Sequence, residues 1–98
     1  MYKDLRETQI NFVVEVASVE EVCGACPTIY DFQDKEGTNY HFRLRHGNAR
    51  IVCEDNEEIL ASDEMEGFDG VCRWKDVVRW AKKNHVLLDC SDSTYEEY

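Results

Sequence analysis

The sequence predicts an α+β fold: one small domain on a mostly antiparallel sheet of four to five strands, with one short and one longer helix packed on one face. Three observations carry that expectation. Apolar and polar residues alternate with period two through residues 28–53, broken by turn-forming clusters. An apolar stripe of helical period runs through Val71, Trp74, Val77, Val78 and Ala81. A β-branched run at residues 10–17 leads directly into a helix-start signal.

In chain order, Ile-Asn-Phe-Val-Val-Glu-Val-Ala at 10–17 reads as a central strand. Ser18 and Glu21 then form an S-x-x-E capping box, which predicts a short helix to about Ala25, weakened by Gly24 and ended by Pro27. Tyr30 and Phe32 alternate with Asp31 and Gln33, and Asp34-Lys35-Glu36-Gly37 supplies a turn. Tyr40, Phe42 and Leu44 then alternate with His41, Arg43 and Arg45, completing a hairpin. His46-Gly47-Asn48 makes a second turn into a strand at 49–53. The outer face of this meander would carry His41, Arg43, Arg45 and Arg50, a basic stripe able to pair across strands with Asp31. Residues 58–62 suit a short strand or edge segment, and 63–70 an acidic loop in which Asp69 is a candidate N-cap for the helix that follows. The second helix runs to about Asn84 with Arg73, Lys75, Arg79, Lys82 and Lys83 on its far side, and Val86–Asp89 is a last strand. Residues 1–90 form the domain in this reading, and 91–98 a flexible acidic tail.

A chain of 98 residues has room for one core, and a hydrophobic share of 43% with eleven aromatics is too apolar for a disordered chain. No apolar run is long enough to span a membrane, and the first residues lack the apolar stretch of a signal peptide, so the expected location is cytoplasmic. Five cysteines, an odd number, fit reduced thiols better than a disulfide framework.

Catalytic signatures are missing. Cys23-Gly24-Ala25-Cys26 is a C-x-x-C motif, but a thioredoxin-like site needs a long following helix and a second proline, and Pro27 is the only one. A zinc site would have to add two of Cys53, Cys72, Cys90, His41 or His46, none of them closely paired. The oxygen-rich stretch 63–69 lacks the order of an EF-hand loop. No nucleophile–base pairing or phosphate-cradling glycine loop is recognisable. The chain therefore reads as no enzyme, with no cofactor and no bound metal.

Charge is the informative property. The formal net charge is -10, and Glu54, Asp55, Glu57, Glu58, Asp63, Glu64, Glu66 and Asp69 fall within sixteen residues that contain no lysine or arginine. Asp89, Asp92, Glu96 and Glu97 add four acids in the last ten residues, so the remaining chain, with nine acids against eleven bases, has a net of +2. Solubility alone would be served by mixed charges. Segregated acids are expected instead to form a partner-binding surface, and the eight residues between 54 and 69 are its candidates. Direct nucleic-acid binding is disfavoured because affinity for phosphates comes from Lys and Arg. The inverse is attractive: carboxylates can imitate phosphates and occupy the basic groove of a nucleic-acid-binding protein.

In size, charge and lack of catalytic motifs the chain resembles the small phage-encoded inhibitors of bacterial defence, such as anti-CRISPR and anti-restriction proteins. The resemblance is one of general character and transfers no residue. It implies an inhibitor whose partner is a nuclease or CRISPR effector and whose place is the host cytoplasm. The alternative is a general protein-interaction or assembly module, in which Trp80 and the basic helix dock on a partner or on the acidic loop of a second copy to give a homodimer. A small zinc-stabilised domain is the third choice.

Overall fold

The computed structural model describes residues 9–24, 27–65, 67 and 71–91. Its elements are β1 (Phe12–Gly24), β2 (Thr28–Asp34), β3 (Asn39–Arg45), β4 (Asn48–Cys53), β5 (Glu58–Glu64), α1 (Trp74–Lys83) and β6 (Val86–Asp89). The six strands lie in the order β5-β4-β3-β2-β1-β6. β1 to β5 form an antiparallel meander, whereas β6 pairs parallel to β1, Phe12 facing Val86 and Glu15 facing Asp89. The sheet curls into a nearly closed, barrel-like shape, with α1 filling its inner face.

This overturns the expected sheet of four to five strands with two helices. The residues assigned to a short helix continue β1, which runs thirteen residues and pairs with β2 from Val16↔Asp34 to Gly24↔Thr28. A helix of one or two turns is marginal alone, and a capping box stabilises it by only about 1 kcal/mol. Pairing with β2 satisfies the same backbone groups and packs Val19 against the core. Register shifts leave Ala17 and Val22 as extra residues on β1. Such bulges bend a strand and tighten its twist, so the first part of β1 meets β6 and the rest meets β2, which lets the sheet curl. One helix, α1, is present among the described residues.

The core is an aromatic row clamped by the helix. Tyr30 and Phe32 of β2 meet the Trp74 ring edge-on at centroid distances of 5.4 and 5.2 Å, and Phe42 of β3 meets Trp80 at 5.8 Å. Phe32 also stacks on Tyr40. Val14, Val16, Leu44, Ile51, Val77, Ala81, Val86 and Leu88 complete the interior.

Helix α1 starts later than the apolar stripe suggested. Its N-cap is Arg73, whose backbone N–H donates to the Asp76 carboxylate at 3.0 Å, and Val71 is 56% exposed, outside the helix. Asp69, the expected N-cap, lies outside the described residues. With Trp74 as the origin, Val77, Trp80 and Ala81 share one stripe at helical spacing. Trp80 is accordingly 5% exposed rather than partly open, and its indole N–H donates to the Glu64 carbonyl at 3.0 Å. The helix ends with Asn84 donating its amide to the Trp80 carbonyl and His85 at φ 73°, the left-handed position that follows many helices.

Candidate functional site

The acidic stretch folds as the β4–β5 hairpin and its outer strand. Residues 54–57 form the turn, since Cys53 faces Glu58 across the ladder. The Asn56 side chain accepts the Glu58 backbone N–H at 2.9 Å, and Glu57 takes φ 62°, a conformation ordinary residues seldom adopt. β5 is the outermost strand, so one row of its backbone groups has no strand neighbour among the described residues. A bulge at Leu60 and the hydrogen bond from the Met65 N–H to the Gly47 carbonyl, 2.8 Å, fix its course.

Six of the eight candidate residues are described, and all six are exposed: Glu54, Asp55, Glu57 and Glu58 at the turn, Asp63 and Glu64 at the far end of β5. Glu66 and Asp69 lie outside the described residues. Asp63 and Glu64, expected in a loop, are strand residues. Among the described residues, no lysine or arginine approaches this group within 4 Å, and the His41 ring lies 3.8 Å from Glu54. Asp63 accepts the Glu64 backbone N–H at 2.7 Å. Asp63 and Glu64 also share a cavity of about 270 Å³ with Arg79 and Lys83 of α1, so bases of the same chain temper this end of the acidic edge. Among the described residues the turn end has only the His41 ring as a basic neighbour within 4 Å.

The sheet's outer face carries a second arrangement. His41 of β3 faces Asp31 of β2 across the ladder, with its Nδ1 2.8 Å from the Asp31 carboxylate. Asp31, His41 and Glu54 form the one group of three or more potential metal ligands, among the described residues, whose donor atoms lie within 4.8 Å of each other. One imidazole and two carboxylates can hold a divalent ion at a site with open positions. The same geometry is satisfied by the hydrogen bond between the His41 ring and the Asp31 carboxylate.

Arg43 faces Ile29 on one side and Arg50 on the other, so the expected pairing with Asp31 falls to His41 alone. Arg45 faces Asn48, and Arg50 faces Ser62. These residues and Ala49 line a shallow pocket of about 200 Å³. Composition suggested the basic stripe, but only the register shows that two of its arginines oppose each other.

The described thiols do not converge. Cys53 and Cys72 are buried in the core, and Cys23 and Cys90 are half-buried. Burial pushes the Cys90 thiol above its ordinary value against the pull of the Trp74 indole N–H, 3.4 Å away. Cys26 lies outside the described residues. β6 flanks an apolar groove of about 540 Å³ lined by Trp74, Val78, Leu87, Leu88 and Cys90 among others. No described helix is long and apolar enough to cross a membrane.

No protein-family profile, curated protein or solved structure matches the chain.

Proposed function

We propose that the protein is a non-enzymatic inhibitor, acting in the cytoplasm, whose acidic β4–β5 edge occupies the basic nucleic-acid-binding surface of a partner such as a nuclease or CRISPR effector. The observation that carries this reading is the gathering of six exposed carboxylates on one hairpin, with no lysine or arginine within 4 Å of them among the described residues. Residues 58–64 in extended form span about 20 Å. Three of the six, Glu58, Asp63 and Glu64, lie along that length, and Glu54, Asp55 and Glu57 crowd the turn at its start. The charges are denser at the turn, and Arg79 and Lys83 temper the other end. The turn residues Glu54, Asp55, Glu57 and Glu58 are therefore the centre of the surface.

The test is capture of the partner from cells, followed by affinity measurements with a variant carrying Glu54→Gln, Asp55→Asn, Glu57→Gln and Glu58→Gln. Affinity should fall by roughly tenfold or more, and wild-type binding should weaken steeply as salt rises. Unchanged affinity of this variant would reject the reading. A general interaction module remains the second reading, now supported by the apolar groove beside β6 instead of Trp80. It predicts the reverse pattern, in which Val78→Lys abolishes binding and charge neutralisation does not.

A further inference from the structure

We infer that the arginine pocket on the outer face binds a compact phosphate group, independently of the acidic edge. Arg43 and Arg50 stand directly opposite each other on β3 and β4, and Arg45 lies two residues along from Arg43 on the same face. Like charges placed directly opposite destabilise a strand pair. Relief from a carboxylate would be expected in a chain with 21 acids, yet no acid among the described residues lies within 4 Å of any of the three guanidinium groups. The neighbouring acid on this face, Asp31, is engaged with His41 instead.

The pocket supplies the chemistry of an oxyanion site. Guanidinium forks donate two parallel hydrogen bonds to phosphate oxygens, and their charge is fixed at every relevant pH. Ser62 and Asn48, which line the same pocket, add a neutral hydroxyl and an amide donor. A phosphate monoester, with close to two negative charges and three acceptor oxygens, matches three arginines better than a single carboxylate does. Bringing it in would turn the Arg43–Arg50 repulsion into a shared attraction. The volume of about 200 Å³ suits a small phosphorylated molecule. A nucleic-acid strand is the poorer occupant, because a polyanion crossing this face would meet the β5 acids, Glu64 among them opposite Asn48, and a net charge of -10.

The experiment is a titration of the full chain with inorganic phosphate at low salt, followed by backbone amide shifts in NMR, with a short single-stranded DNA in parallel. Phosphate should shift residues 43–50 and 62 saturably, with a Kd of about 1 mM or tighter. Arg43→Gln with Arg50→Gln, and separately Arg45→Gln, should each weaken binding by roughly tenfold or more, while Arg79→Gln, an arginine on α1 beside Asp76, leaves it unchanged. The inference is overturned by absence of saturable shifts, by shifts centred elsewhere, by equal losses in the Arg79→Gln control, or by DNA binding more tightly than phosphate. A melting curve for each variant separates lost binding from lost fold.

Discussion

The inner and outer faces of this sheet are made by alternate residues of the same strands, yet they answer to different physics. On the inner face Tyr30, Phe32, Phe42, Leu44 and Ile51 are held against two tryptophans, and each excludes water from the next. One step along each strand, the outer face holds Asp31, His41, Arg43, Arg50 and Ser62, which meet solvent and each other mainly through charge. The inner face fixes the fold. The outer face and the β5 edge can vary in charge at small cost to stability, so their charges are free to serve a ligand or partner.

Trp74→Ala tests that division most severely. It empties the space between Tyr30 and Phe32 and should destabilise the protein by about 3–5 kcal/mol, read as a lower denaturant midpoint. Ile59, an outer-face residue 53% exposed, should lose less than about 0.5 kcal/mol as Ile59→Ala. Comparable losses at the two positions would mean that the outer face is itself covered.

Asp34 is the polar exception on the inner side and ranks next. Its carboxylate accepts the Glu36 and Thr38 backbone N–H groups, both at 2.9 Å, and the Tyr40 hydroxyl at 3.1 Å. Burial pushes its pKa upward, but these hydrogen bonds outweigh burial and hold it below the ordinary value. Burial and the Asp34 carboxylate drive the Tyr40 hydroxyl the other way, so it remains a donor. A folded-state pKa below the unfolded one gives stability that is present above the ordinary carboxylate pKa of about 4 and lost as pH falls through the folded value. Asp34→Asn should therefore cost about 1 kcal/mol at pH 7, allowing for solvent screening, and this gap should close as the pH is lowered past 4. A pH-independent gap would assign the effect to shape instead of charge.

How much of this was legible in the sequence depended on the range of the interaction. Strands with period-two alternation and the amphipathic stretch of α1 are local signals, and the structure places elements there. Ser18 and Glu21 also gave a local signal, but β1 obeys a pairing with residues 28–34 that a capping box does not encode. The parallel contact between Phe12 and Val86 joins opposite ends of the chain and had no sequence mark. Trp80 was misplaced because the stripe was counted from Val71, which precedes the helix. For the site, composition exposed the acids, whereas their position on an edge strand, the approach of Glu54 to His41 and the opposition of Arg43 and Arg50 follow from register, which a one-residue slip would reverse.

The smallest expected effect is also the one with the unusual sign. Arg50→Thr replaces one member of a like-charged cross-strand pair with a residue of good strand propensity. Most substitutions destabilise, but this one should raise stability by a few tenths of a kcal/mol at low salt, because Arg43 then faces no opposing charge. Raising the ionic strength should shrink the gain as the repulsion is screened in the wild type. Saturating phosphate should reverse the order, since the wild type would then be stabilised by a ligand that the variant holds less well. A gain that persists in high salt would place its origin in strand propensity. A loss in the absence of phosphate would mean that the aliphatic stem of Arg50 packs on the sheet strongly enough to outweigh the repulsion. In that case the outer face would share in holding the fold, and the division between the two faces would be less sharp than the alternation of their residues implies.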